Sequence, residues 1–280
     1  MSDNIYFYGD DHHFNPKWLL LIPAIAIVGF LAYLGYDKFF TEDEDVQVTE
    51  VPQQPREIDE PLQQNADLEL VTTDSTLSVI DTVINDIKVC LYIPPTGSKP
   101  QLVMGYEVIK DTANTLLCFA AADAGMNDKI VGAFVVDGEI LSTGLSKKGF
   151  CAIIDDTVTI GISENSPLFE RAINDKGSFF RQRALVDSGR IVINEKRGIF
   201  MCRALCRKEN RLFVVHSMDR CSLYDFSQLL QDLGVEYAIS LQSAENAKGW
   251  YLNTDGHCEL VGDWSSRKYP KSANYIIWSR

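Results

Sequence analysis

Histidine is scarce in this 280-residue chain: there are four, and His12 and His13 sit near the start. Only His216 and His257 remain in the long C-terminal part, which argues against a histidine-rich metal site. No Cys-x-x-Cys pair occurs among the seven cysteines, which excludes a zinc ribbon or a thioredoxin-type centre. There is no Gly-x-Ser-x-Gly elbow, no phosphate-binding loop and no dinucleotide fingerprint. An excess of basic residues is also missing. The formal net charge is −13, yet residues 85–280 carry 23 acidic and 23 basic side chains. That balance leaves no basic footprint for nucleic acid and no acidic catalytic surface.

Charge of either sign is absent from residues 18–36, WLLLIPAIAIVGFLAYLGY. At about 1.5 Å per residue such a run is long enough to cross a hydrocarbon core. Trp18, Tyr33 and Tyr36 stand near its ends, where aromatic rings favour the interface, and Lys17 and Lys38 bracket it. A cleaved signal peptide is the rival reading. The first sixteen residues hold Asp3, Asp10 and Asp11 but no Lys or Arg, and no small-x-small pattern follows the run. An uncleaved transmembrane helix is therefore expected, with residues 1–17 as a short tail. The lipid bilayer is the first expected partner. The expected location is the cell membrane, single-pass, with the C-terminal domain on the non-cytoplasmic side.

Aromatic side chains are missing from Thr41 as far as Leu91, and the acids concentrate there. Between Thr41 and Ile84 twelve acids face the single Arg56, a net of −11. Pro52, Pro55 and Pro61 punctuate the stretch. Such a composition buries too little apolar surface to offset ordering entropy. Residues 37–84 are accordingly read as a disordered acidic linker, kept extended by self-repulsion.

Residues 85–280 are read as a single domain with a substantial core. Short runs rich in Val, Ile and Phe, bounded by turn residues, predict many strands, among them 88–93, 102–109, 116–121, 200–206, 211–216 and 237–241. FVVDGEIL and LVDSGRIVI read as hairpins, with Asp137-Gly138 and Ser188-Gly189 supplying positive φ. SLYDFSQLLQDLG breaks the pattern, because Leu223, Phe226, Leu229, Leu230 and Leu233 fall at helical spacing. Ser222 and Asp225 suit a capping box and Gly234 a left-handed stop. The strand–helix–strand order there suggests a crossover, and an α+β class with one mixed sheet is expected. Cys118 and Cys151 lie in apolar runs and are expected in the core.

Several segments, taken in order, resemble motifs of the phosphodiester glycosidase family, the group related to the uncovering enzyme that removes N-acetylglucosamine from a phosphodiester. Residues 121–126, AADAGM, stand for an Asn-Gly-Gly segment. GAFVVDGEI at 132–140 and QRALVDSGRIVI at 182–193 match two hairpins. CRALC at 202–206 holds Arg203 where the family has an Arg. LLQDLGVEYAISL at 229–241 matches a helix–strand lead-in, and YPKSANYIIW at 269–278 a closing strand.

The resemblance implies hydrolysis or binding of a sugar phosphodiester or cell-envelope glycan. From the scarcity of histidine and the lack of a Cys-x-x-Cys pair, no cofactor or metal is expected. The candidate catalytic residues are Asp123, His216, Asp219 and Glu245. The candidate binding residues are Arg203, Gln242, Ser243 and Asn246, with Arg203 as the anion contact through its planar fork. The chain departs from the family at the site itself. Gln242-Ser243-Ala244-Glu245-Asn246 replaces Asp-Gly-Gly-Gly-Ser, which removes a carboxylate and a backbone cradle. Asp123 and Ala124 replace Asn and Gly. The altered loop implies doubtful turnover, that of a hydrolase-like pseudoenzyme. The alternative is a non-catalytic protein-interaction or scaffold domain of the envelope.

Overall fold

The structure, a computed structural model, describes residues 76–125, 129–144, 147–194, 197–242, 247–262, 264 and 273–280. The apolar run at 18–36 and the acidic stretch up to residue 75 lie outside the described residues. Among the described residues no helix is long and apolar enough to cross a membrane.

Alternating apolar and polar runs pair here as antiparallel hairpins. Strands β1 (Ser78–Ile84) and β2 (Ile87–Ile93) are joined by Asn85 and Asp86, both at positive φ, 51° and 61°. That is the two-residue turn whose twist suits a hairpin. The first strand lies inside the range assigned to the linker, so folded structure begins earlier than residue 85. The strands β3 (Pro100–Met104), β4 (Thr115–Ala120), β5 (Ala133–Val136), β6 (Glu139–Thr143), β7 (Gly149–Ile154), β8 (Thr157–Ile162) and β9 (Ser178–Gln182) follow. After them come β10 (Ala184–Asp187), β11 (Arg190–Ile191), β12 (Ile199–Phe200), β13 (Arg203–Lys208), β14 (Arg211–Ser217) and β15 (Cys221–Ser222). The last four are β16 (Tyr237–Ser240), β17 (Gly249–Leu252), β18 (Cys258–Val261) and β19 (Asn274–Ser279). Helix α1 is Pro167–Asn174 and α2 is Leu223–Asp232.

The described strands form three large sheets. The first runs β1-β2-β14-β13-β16-β10-β11, the second β18-β17-β4-β19-β3 and the third β6-β5-β9-β7-β8. Strands β12 and β15 make a small fourth sheet. Strands take up 51% and helix 11% of the described residues, and every pairing between these strands is antiparallel. The expected α+β class with a mixed sheet is therefore corrected to a mostly β fold. The reason is the strand order. Strands β14 and β16 are not neighbours, because β13 lies between them and bonds antiparallel to both. The strand expected over 102–109 is also shortened. Gly105 turns at φ 87°, and a 3-10 helix at Tyr106–Lys110 takes over.

One apolar cluster is shared by all three sheets. Tyr92, Leu205, Val214 and Ile239 come from the first, Phe119, Ile276 and Trp278 from the second, and Phe134, Cys151 and Phe180 from the third. Cys118 and Cys151 are fully buried, as expected. Helix α2 covers the outer face of the first sheet with Phe226, Leu229 and Leu230, each 0% exposed. Each such side chain contributes about 1.5–3 kcal/mol. Its boundaries follow the sequence signals. The Ser222 hydroxyl accepts the Asp225 N–H at 3.0 Å and donates to the Asp225 carboxylate at 2.6 Å. At the other end Gly234 N–H donates to Gln231 O and Val235 N–H to Leu230 O, with Gly234 at φ 79°. That pair of bonds is the Schellman stop.

Gly249 in β17 faces Phe119 across the strand pair. A Cβ there would lie 2.4 Å from the Phe119 ring and 2.9 Å from the Cys118 carbonyl oxygen. Gly249→Ala should destabilise the domain by about 1–3 kcal/mol through overpacking, read as a lower urea midpoint with unchanged slope.

Candidate functional site

Beyond β4 the chain runs through Ala121, Ala122 and Asp123, and its position there is set from several sides. Asn274 at the start of β19 receives the Ala122 N–H on Oδ1 at 2.7 Å and donates Nδ2 to the Ala122 carbonyl at 3.0 Å. The Ala121 carbonyl accepts the Gln182 Nε2 at 3.1 Å and the Gln242 N–H at 2.9 Å. Asp123 is thereby held where the ends of β9, β13 and β16 meet.

Lys147 reaches the Asp123 carboxylate at 2.5 Å and Gln182 Oε1 at 2.9 Å. Arg183 Nη1 lies 3.7 Å from the same carboxylate. The Ser240 hydroxyl donates to Gln182 Oε1 at 3.3 Å. Burial alone would raise the Asp123 pKa, but Lys147, joined by Gln182 and Arg183, holds the carboxyl below its usual range. Asp123 is therefore an anion at neutral pH and has no proton to give.

Arg203 opens β13, where the Leu241 N–H bonds to its carbonyl at 2.8 Å. Its side chain is 1% exposed, and the guanidinium rests 4.2 Å over the Phe119 ring. Nη2 stands 3.4 Å from His216 Nδ1, and the two residues are register partners in β13 and β14. Nε and Nη1 have no hydrogen-bond partner among the described residues. Burial lowers the Arg203 pKa to about 10, against opposing pulls from Tyr92 and Cys118, so the cation persists at neutral pH. Burial, and then Arg203, lower His216 to about 3. His216 is thus neutral. A guanidinium can only donate, so Nδ1 is the acceptor and the ring proton sits on Nε2.

A small cleft of about 30 Å³ is lined by Asp123, Arg183, Cys202, Arg203, Ser240 and Leu241, with Phe200, Met201 and Leu223 at its side. It has room for a water or two. Lys147, Arg183 and Arg203 outnumber Asp123 in and around it, so its balance is positive. Asp123 is the one carboxylate among the described residues that line it.

The candidates divide accordingly. Asp123 and Arg203 line one cleft, His216 contacts Arg203, and the Gln242 backbone joins the same junction. Asp219 does not line the cleft. Its carboxylate accepts the Lys88 N–H at 3.0 Å in an exposed turn. Ser243, Glu245 and Asn246 lie outside the described residues. Lys147, Gln182, Arg183, Ser240 and Asn274 are not singled out by the sequence. Gln182, Arg183, Ser240 and Asn274 stand inside the motifs that carry the resemblance, and the Ser-Ala-Asn that opens the closing strand is the signal that could have found one of them. Among the described residues no three His, Cys, Asp or Glu side chains converge as a metal site.

No protein-family model matches the chain, and no curated protein matches its sequence. Solved structures do match. One is the catalytic domain of zebrafish N-acetylglucosamine-1-phosphodiester alpha-N-acetylglucosaminidase, auto-inhibited by its pro-peptide. It covers 78% of this chain and 87% of its own, with a TM-score of 0.50 and 14% identity. A hypothetical protein from Synechocystis covers 73% of this chain and 62% of its own, with a TM-score of 0.55 and 12% identity. At these identities the likeness is one of fold: the chain is similar in fold to a phosphodiester glycosidase catalytic domain.

Proposed function

We propose that the domain binds the phosphoryl group of an anionic sugar or envelope glycan at the Arg203 cleft, whose volume admits only a small group, and turns the ligand over weakly or not at all. The observation that carries this reading is the Arg203 guanidinium itself. It is buried and charged, and among the described residues it lacks a carboxylate partner and has two unmatched donors, while Arg203 itself lines a cleft of positive balance. Buried donors of this kind cost stability unless a ligand completes them. A phosphate fits the planar fork through two oxygens. The doubt about turnover comes from the acid–base inventory. Glycoside cleavage commonly uses one protonated and one ionised carboxyl group. Asp123 is ionised and engaged by Lys147, and His216 is neutral but buried against Arg203. The reading also keeps the chain at a lipid bilayer through residues 18–36, with the domain on the non-cytoplasmic side.

Inorganic phosphate and a panel of sugar phosphodiesters, titrated into the full chain, should raise its Tm as ligands of the folded state do. Arg203→Ala should weaken phosphate binding by about 1.5–3 kcal/mol, the worth of a hydrogen bond to a charged group. Arg203→Met should leave the unliganded Tm equal or higher, because an unpaired buried charge is replaced by an apolar side chain of similar length. A large Tm loss in Arg203→Met, with phosphate binding retained, would reduce Arg203 to a structural residue.

Asp123→Asn should lower stability by about 2 kcal/mol at neutral pH, since Lys147 loses a charged hydrogen-bond partner. The sign with pH follows from the depressed carboxyl pKa. The stabilisation is present above the unfolded carboxyl pKa and is lost as pH falls through the folded one. Denaturation curves of the two proteins should therefore converge on acidification. Efficient phosphodiester turnover that Asp123→Asn abolishes would instead make the domain an enzyme with a relocated carboxylate.

For the anchor, carbonate washing should leave the full chain in the membrane fraction, and externally added protease should reach the domain. Release into the wash would remove the bilayer from this reading.

A further inference from the structure

Cys202 and Cys221 stand apart from the other cysteines. Their sulfurs are 3.9 Å apart, although eighteen residues separate them. The backbone holds them there from two sides. Strands β12 and β15 place Phe200 opposite Cys221. The Ser217 N–H donates to the Cys202 carbonyl at 2.9 Å, and the Cys202 N–H to the Ser217 hydroxyl at 2.7 Å. Both side chains are buried, at 3% and 5% exposure.

We infer that Cys202 and Cys221 form a reversible disulfide site at the wall of the Arg203 cleft, open to a water-sized peroxide oxidant. The sulfurs need approach by only roughly 2 Å to reach bonding distance. Cys202 lines the cleft, and the opening there suits hydrogen peroxide better than a bulky disulfide. The thiol chemistry favours the same pair. Burial pushes Cys90, Cys118, Cys151 and Cys206 up. Cys221 moves down, chiefly through its contact with Cys202, against burial and with help from Ser217.

The steps balance as follows. The Cys202 sulfur attacks one peroxide oxygen, the O–O bond breaks, and one water leaves with a sulfenic acid at Cys202. The Cys221 thiolate then attacks that sulfur, the S–O bond breaks, and hydroxide leaves with a proton as the second water. Two thiols lose two electrons and two protons in all, and the peroxide takes them up. A thiol reductant reverses the bond.

The sequence supplies a direct readout. Trypsin cuts after Arg197, Arg203, Arg220 and Lys248, so Cys202 and Cys221 fall on separate fragments, 198–203 and 221–248, each with one cysteine. The full chain, purified reduced and treated with hydrogen peroxide, should lose about 2 Da, the two hydrogens of a disulfide. Its digest should contain the two fragments joined, and dithiothreitol should separate them. The oxidised chain should melt roughly 5–10 °C higher, because the bond closes a loop of about 20 residues. Cys221→Ser should yield no joined fragments and should leave Cys202 as a sulfenic acid that dimedone traps. The inference is overturned if both fragments remain alkylatable by iodoacetamide after peroxide, or if either is joined to a fragment bearing another cysteine. Both outcomes are read on the unsubstituted chain, so a variant that failed to fold would not blur them.

Discussion

The Ala121 carbonyl is the point on which the three sheets depend. It leaves the second sheet at the end of β4, accepts the Gln182 side chain from the third, and accepts the Gln242 backbone from the first. A carbonyl has two acceptor positions, and both are used to tie different sheets. Asn274 completes the junction by closing on both backbone groups of Ala122. Gln182 is fully buried and Asn274 2% exposed, so these bonds sit away from competing water, where an unmade one would cost most. Apolar contact alone could let sheets slide over one another. Directional bonds at one crossing fix how they meet, and the side chains of Asp123, Lys147 and Arg203 inherit that fixed geometry.

Arg203 shows how the junction serves chemistry. Phe119 forms the floor beneath the guanidinium, and Gly249 is what leaves room for that floor. The neutral His216 takes one donor and leaves the rest. A carboxylate in its place would have neutralised the cation and removed its pull on an incoming anion. Among the described residues the site thus holds a charge without a carboxylate partner, a departure from the usual rule that buried charges are paired.

Much of the fold is legible in the sequence because its signals are local. The α2 boundaries follow from Ser222, Asp225 and Gly234, and the hairpins at Asp137-Gly138 and Ser188-Gly189 from residues that accept positive φ. Helix α1 is easily passed over, although Ser166 and Pro167 announce its start and the Ser166 hydroxyl caps Leu168. Strand β1 is hidden by the acidic composition leading up to it. The pairing order is not legible. Nothing near β14 or β16 says that β13 will come between them, since that is settled by long-range burial. The same limit applies to the site. Arg203 and Asp123 are readable from motif order. Lys147 and Gln182 gain meaning only when β7 and β9 bring them to Asp123, and the turn that takes Asp219 to Lys88 has no local mark.

The second sheet also has a consequence for how the chain acquires its shape. Strands β3 and β4 follow one another in sequence but do not bond to each other, because β19 lies between them and pairs with both. The partners of Leu102 and Phe119 thus arrive more than 150 residues later, as Ile276 on β19. Topologies dominated by such distant pairings fold slowly, since loop closure must come before the contacts reward it. Until then the apolar faces of β3 and β4 stand unpaired, which is the condition under which nascent chains need protection from one another. Sheet completion and assembly of the Asn274 clamp are therefore one late event. A ribosome-bound chain would carry the hairpins but neither the middle strand nor the cleft.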